Sequence, residues 1–288
     1  MPTLKEYNAK LSRLRNTRKM TRTMKMVSAT KLRKAQEAQK NAEDFLQKLN
    51  QIFARVAGNV DLTDHPLAEE RKPVRAVHCL LITSDRGLCG SFNNNLSRKV
   101  AIWVAEQIAA GHKVQMSFCG RRGHLAFRNT ADVWMNHEGV SAKPTYADAR
   151  RVNHFLHGGF MDGRHDEVYL AYNFSRSTMS HSPAIERLLP MRPSSDGKPA
   201  QAAANLLCEP DGPEVLDATL EKLVALKLFS ALLHSSMGEH AARMVAMENS
   251  TSNAEKLIGV YTLLRNRVRQ ATITKELLEI IAGAEAMK

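Results

Sequence analysis

The sequence predicts an α/β protein in which two very long terminal helices bracket a small Rossmann-like sheet domain. Three observations carry the prediction. Residues Thr3 to Ala57 contain neither Pro nor Gly. Residues Glu214 to Lys288 contain no Pro and only Gly238, Gly259 and Gly283, and all ten prolines lie at Pro2 or between Pro66 and Pro213. Between Pro73 and Pro193 the pattern changes to short apolar runs alternating with helical periods. At 1.5 Å rise per residue the first helix would reach roughly 80 Å and the last roughly 110 Å. A compact domain has no use for such lengths, so an elongated molecule is expected. The organisation reads as an N-terminal helix over 1–60, an α/β domain over 73–193, a loop region over 194–213 and a C-terminal helix over 214–288.

In the first helix Leu4, Tyr7, Leu11 and Leu14 step by three and four, a coiled-coil-like seam. The next seam positions, Arg18, Thr21, Lys25 and Ser28, are all polar, while Met20, Met24 and Val27 lie one position earlier. The buried face is therefore expected to rotate around the helix. That rotation reads either as drift of a 3.6-residue helix against its partner or as a stretch with neighbours on more than one side.

Ala76 to Thr83 (AVHCLLIT) is a buried-strand run, followed by the turn Ser84-Asp85-Arg86-Gly87-Leu88-Cys89-Gly90. A helix is predicted from about Asn93 to Ala110, a strand over Val114 to Cys119, a helix over Tyr146 to Phe160 and a strand over Val168 to Phe174. This alternation argues for parallel pairing. Arg192 to Asn205, rich in Ser, Pro, Ala and Gly, reads as a surface loop. In the last helix Leu216, Leu220, Leu223, Leu226 and Leu233 form one stripe. Leu257, Tyr261, Leu264, Val268, Ala271, Lys275, Leu278 and Ala282 form a second. The final turns, with Leu277, Leu278, Ile280 and Ile281, are apolar on several faces and call for a hydrophobic collar.

The net charge of +12 over 288 residues is concentrated at one end. Twelve Lys or Arg lie between Lys5 and Lys40 against only Glu6 and Glu37, a local charge of +10, so the remaining 248 residues are nearly neutral. Such a helix is a solvated face, an organelle transit peptide, or a surface for an acidic partner or nucleic acid. The pattern runs unbroken into Ala35, Ala38, Ala42 and Leu46 without a cleavage-like break. Tyr7 is the only aromatic before Phe45, which argues against base stacking. The four cysteines (Cys79, Cys89, Cys119, Cys208) are scattered, as in a reduced intracellular protein. No apolar run approaches the ~20 residues that span a bilayer.

No catalytic, cofactor or metal constellation stands out. The SDRGLCG turn is neither GxGxxG nor GxxxxGK[ST]. It reads as a tight strand-to-helix connection in which Gly87 and Gly90 allow unusual dihedrals. His154, His157, His234 and His240 lack acidic or thiol companions at ligand spacing.

Four strings together are similar to one family. They are Arg15-Asn16-Thr17-Arg18-Lys19-Met20-Thr21 leading into Met24-Lys25-Met26-Val27-Ser28-Ala29; Ile82 to Asn93 (ITSDRGLCGSFN); Glu239 to Met247 (EHAARMVAM) with Asn253-Ala254; and Asn266 to Leu277 (NRVRQATITKEL). In this order, and spanning essentially the whole chain, they resemble the gamma subunits of F-type ATP synthases, the central rotor shaft. The resemblance implies an antiparallel coiled coil of the terminal helices with an inserted α/β domain. It implies a shaft within a ring of alternating alpha and beta subunits, resting with epsilon on the membrane c-ring, and so membrane contact only through that ring. Ion flow through the ring would drive rotation and ATP synthesis, with active sites on beta, no chemistry or cofactor on this chain, no nucleic-acid partner, and a place at the cytoplasmic face of the bacterial inner membrane.

By motif match, Met24 and Lys25 would face the beta lever loops. Arg269, Gln270 and Thr274 would meet the beta loop that grips the shaft, and Glu209-Pro210-Asp211 would be the foot loop at the c-ring. The chain departs from the family pattern at Arg265 (usually Tyr), Lys275 (Gln), Gly238 (Ser), Ser91 (Gly) and His234 (often acidic). These departures leave open a paralogous ion-pumping F-type ATPase. A coiled-coil nucleic-acid-binding protein is the competing class, and the apolar C-terminal end speaks against it. No cysteine-bearing regulatory insert is present, so no thiol switch is expected.

Overall fold

The computed structural model describes residues 3–57, 65–175, 181–191 and 211–287. The elements in chain order are α1 (Leu4–Ala57), β1 (Ala76–Ile82), α2 (Phe92–Ala109), β2 (Lys113–Cys119), α3 (Arg121–Phe127), β3 (Asp132–His137), α4 (Tyr146–Met161), β4 (Glu167–Ser175), β5 (His181–Leu189) and α5 (Gly212–Ala286). The chain forms two compact units. One comprises residues 30–242, and the other residues 1–29 together with 243–288. The predicted class is the observed one: long terminal helices that pack on each other, with a small α/β domain inserted.

The larger unit is built on a five-stranded sheet of order β3-β2-β1-β4-β5. β1 pairs parallel with β2 and β4, β2 pairs parallel with β3, and β5 closes the edge antiparallel to β4. Val77 to Ile82 are all buried, as a central parallel strand with both faces covered requires. Its side chains alternate. Cys79 and Leu81 face Leu96 and Val100 of α2, and Leu80 and Ile82 face Val152, Leu156 and Phe160 of α4. The second face also receives Leu49, Phe53 and Val56 of α1 and the predicted stripe Leu216, Leu220, Leu223 and Leu226 of α5. From Leu223 to Ala242 α5 is buried at nearly every position, with Ser230, His234, Ser235, Ser236, Glu239 and His240 enclosed among its apolar residues.

Three elements lie outside the predicted set. α3 has seven residues, too few for a helical period to register. β3 is a half-exposed edge strand with the mixed sequence DVWMNH. β5 carries Pro183, which an edge strand tolerates but which erases a strand signal in sequence.

The SDRGLCG turn spends its polar groups on itself. The Ser84 amide donates to Asn93 Oδ1 at 3.1 Å, and the Ser84 hydroxyl donates to the Arg86 carbonyl at 2.6 Å. Asn93 Nδ2 donates to Ser84 Oγ at 2.8 Å, and Asp85 Oδ1 accepts from the Arg121 amide at 3.1 Å. Gly90 takes φ +60 as expected, but the other left-handed residue is Leu88 (φ 63), not Gly87. Gly87 instead makes room for the Arg122 guanidinium, whose Nη2 lies 2.6 Å from where a Cβ would stand. The tightest backbone approach is at Gly120 (φ +112), where a Cβ would meet the Thr83 carbonyl oxygen at 2.1 Å.

Two of the sequence departures have local reasons. A Cβ at Gly238 would lie 3.0 Å from Phe92 Cε2 and 3.1 Å from Ser175 Oγ, so glycine lets α5 approach β4 closely. His234 is buried, its ring 4.6 Å from Phe174 and its Nε2 3.1 Å from Gln39 Nε2, which also donates to Glu43 Oε2 at 3.1 Å. Burial pushes the Cys79 thiol up to about 12 and raises Cys119 as well, so neither offers a thiolate near neutral pH.

In the smaller unit α1 and α5 run antiparallel. Seven residues forward in α1, from Arg18 to Lys25, correspond to seven residues backward in α5, from Glu255 to Glu248. The expected rotation of the buried face does not occur. Leu11, Thr21 and Ser28 are buried with Tyr7 and Leu14 half-buried, a seam that keeps its heptad straight through the polar residues, while Met20 (65%) and Val27 (50%) stay exposed. The reason lies in the seam chemistry. Thr21 and Thr251 hydroxyl oxygens meet at 2.7 Å, and they also reach back to the Arg18 and Met247 carbonyls of their own helices at 3.1 and 2.7 Å. Small, satisfied hydroxyls serve at seam positions that a coiled coil usually fills with apolar side chains, so the buried face has no need to rotate. On α5 the inward positions are Met247, Ala254, Ile258, Tyr261 and Val268, so Leu257 of the predicted stripe lies off the seam at 45% exposure.

A Gly120→Ala substitution is expected to lower stability by more than about 3 kcal/mol, since strain and a backbone clash add; urea unfolding of the purified variant measures it. A second expectation concerns acid. His78 is fully buried beside Trp134 and His165, with ring centroids 5.2 and 4.6 Å away, and neither of its nitrogens has a hydrogen-bond partner among the described residues. Burial holds His78 well below the ordinary histidine range, with His165 and His137 adding to the effect, and burial also lowers His137 and His165. A lowered folded pKa means that the unfolded chain takes up protons first. Stability is therefore complete above about pH 6.5 and falls below it, by up to about 1.4 kcal/mol per pH unit for His78, with smaller losses from His137 and His165. Thermal melts between pH 7.5 and 5 should show this loss, and His78→Phe should reduce it, with His137 and His165 left to carry part of the remainder.

Candidate functional site

The exposed surfaces of the smaller unit hold most of the residues that the sequence singles out. Along α1, Arg18 reaches Glu255 at 3.9 Å, Lys25 pairs with Glu248, and the Lys10 ammonium lies 4.4 Å from the Tyr261 ring centroid. Both ion pairs are about half exposed, so each contributes at most about 1 kcal/mol and neither fixes the helix pair. Arg13, Arg15, Lys19 and Arg22 are exposed and form no ion pair among the described residues. Beside this charge lie Met20, Met26 and Val27, all exposed, and Met24, half-buried. The α1 surface from Arg13 to Val27 thus offers free cations interleaved with uncovered apolar side chains.

The last turns of α5 are barer still. Among the described residues the seam ends near Val268, and every residue from Arg269 to Glu285 is exposed. Arg269, Gln270 and Thr274 are exposed, and the Thr274 hydroxyl is spent on the Gln270 carbonyl at 3.0 Å. Lys275 is held along the helix by Glu279 at 3.4 Å. Ile273, Leu277, Leu278, Ile280 and Ile281 are exposed, between 47% and 67%. Five large aliphatic side chains within nine residues make a contiguous apolar surface of the kind that marks an interaction site.

In the larger unit, Asp211 is the helix cap of α5: its Oδ1 accepts from the Glu214 amide at 2.8 Å, with Pro213 in the first turn. The Asp-x-x-Glu signature was legible in the sequence and its capping role was missed there. Glu209 lies outside the described residues. Among the described residues no group of three His, Cys, Asp or Glu is arranged to hold a metal ion, and no helix is long and apolar enough to cross a membrane.

The ATP synthase family model matches residues 3–287. The ATP synthase gamma chains of Trichlorobacter lovleyi and Geobacter metallireducens are 36% and 37% identical, each over the whole of both chains. This chain belongs to the ATP synthase gamma-chain family. Its fold is similar to a chain of the Euglena gracilis mitochondrial ATP synthase OSCP/F1/c-ring structure, with a TM-score of 0.67 at 20% identity, covering 99% of this chain and 94% of that one. A rotor structure of the same Euglena synthase gives a TM-score of 0.64 at 18% identity over 94% and 98% of the two chains. As a gamma chain it is a non-catalytic, central-stalk subunit that transmits rotation to the catalytic hexamer. Family membership displaces the nucleic-acid reading of the basic helix.

Replacing Asp211 by Ala should cost about 1 kcal/mol of stability through loss of the cap, read as a shift of the urea midpoint with unchanged slope.

Proposed function

We propose that the gamma chain turns inside a ring of alternating alpha and beta subunits, with epsilon at its foot and the c-ring beneath, at the cytoplasmic face of the bacterial inner membrane. Membrane contact is through the c-ring alone. The observation that carries this reading is the apolar end of α5, whose large aliphatic side chains stay exposed among the described residues. A non-polar bearing suits a turning element because dispersion and apolar burial are non-directional and impose no fixed angular register.

The free cations of α1 suit acidic partner loops for a related reason. Exposed ion pairs are weak and are exchanged as the facing group changes. On this reading Met24 and Lys25 face beta, Arg269, Gln270 and Thr274 meet the beta loop that grips the shaft, and Glu209 and Asp211 belong to the foot at the c-ring. Residues 1–60 and 214–288 are then the transmitting helices, 73–193 the body, and 194–213 the foot loop.

A Leu278→Asp, Ile281→Asp double variant tests the reading. Both positions are exposed in the chain, so its own melting should change by less than about 0.5 kcal/mol. Recovery of alpha and beta with the tagged variant should fall at least tenfold, about 1.4 kcal/mol or more. Unchanged recovery with full ATPase activity would reject the bearing.

A further inference from the structure

We propose that the groove between α4 and α5 in the larger unit binds a small polyanion carrying a hydroxyl donor, such as a phosphate monoester or a hydroxy-carboxylate. The groove has a volume of about 570 Å³ and lies apart from every residue assigned above to a partner. Arg150 and Arg151 enter it from α4 and Lys222 from α5, against Glu221 as its one acidic lining residue. Arg151 is tied to Asp148 at 2.8 Å, whereas Arg150 and Lys222 are exposed and form no ion pair among the described residues. Two free cations from different helices converging on one cavity are the arrangement that clamps a dianion.

The floor supplies an independent sign. Asn153 lines the cavity, is only 4% exposed, and its Oδ1 has no hydrogen-bond partner among the described residues. A buried acceptor left unpaired is costly. The oxygen is closed off from water in the ligand-free chain, so a ligand hydroxyl reaches it by a turn of the Asn153 amide toward the cavity, and donating to it removes that cost while the ligand's charges reach Arg150 and Lys222 at the rim. Sulfate, which has no hydroxyl at neutral pH, satisfies the rim and not the floor.

Isothermal titration of the full-length chain with glycerol 3-phosphate, citrate and sulfate at fixed ionic strength tests the site. One-to-one binding of glycerol 3-phosphate or citrate is expected, and the tighter of the two names the ligand class. Sulfate should bind at least tenfold more weakly. An Arg150→Gln, Lys222→Gln variant, altered only at exposed positions, should lose at least tenfold in affinity with an unchanged melting temperature. Asn153→Asp, which places a charge on the floor, should abolish binding. Absence of saturable heat with either organic anion, or affinity unchanged in the double variant, would overturn the proposal. Sulfate binding as tightly as the other two would overturn the role given to Asn153.

Discussion

The larger unit depends on the burial of one helical stretch, Leu223 to Ala242 of α5. One of its sides closes the sheet face made by Leu80, Ile82, Val168 and Leu170, and another receives Phe53 and Val56 of α1. Without that stretch the sheet would show an apolar face to water and the C-terminal half of α1 would have nothing to pack against. Burial on every side restricts side-chain size, and the stretch supplies small buried residues, Ser230, Ala231, Ser235, Ser236, Ala241 and Ala242, with Gly238 at a close approach to Phe92 and Ser175. The hydroxyls among them can bond back along their own helix, so they fill space without leaving buried polar groups unpaired.

The smaller unit follows the opposite principle. There the helices bury only a narrow seam, and most of their circumference stays in water. A gamma chain needs both regimes. The sheet-bearing unit has to hold a shape, which takes a dense core of interlocked side chains. The helix pair has to present surface, so much of its apolar side-chain area stays exposed, and Arg13, Arg15, Lys19 and Arg22 form no ion pair among the described residues. The stability of the pair rests on Leu11, Leu14, Met247, Ala254 and their seam neighbours, while Arg13, Lys19, Met20 and Ile280 add little to it and remain available.

Much of this was legible in the sequence, for identifiable reasons. The proline-free ends and the leucine stripe of α5 announced long helices, and AVHCLLI announced a central strand, because uninterrupted periodicity needs no tertiary information. The edge strands β3 and β5 were not legible, since an edge needs no strong apolar pattern and Pro183 masks one. The seam through Thr21 and Ser28 was misread because position in a heptad and hydrophobicity disagreed there, and geometry prevailed. Of the proposed contact residues, Met24, Lys25, Arg269, Gln270 and Thr274 came from motif resemblance. Exposure alone singles out the apolar neighbours, Met20, Val27, Leu278 and Ile281. The capping role of Asp211 was available from its spacing to Glu214.

The polar stretch of the seam has a mechanical consequence. Between Arg18 and Ser28 the two helices meet through a pair of hydroxyls and two half-exposed ion pairs, with no leucine on α1 keyed into a hole on α5. Apolar knobs resist sliding and rotation because any displacement opens a void. Hydroxyls and solvated charges exchange partners, or accept water, over a displacement of an ångström or so at little cost. This stretch is therefore the compliant part of the helix pair, where relative twist between α1 and α5 concentrates under load, and the leucine-keyed turn around Leu11 moves as a stiffer segment.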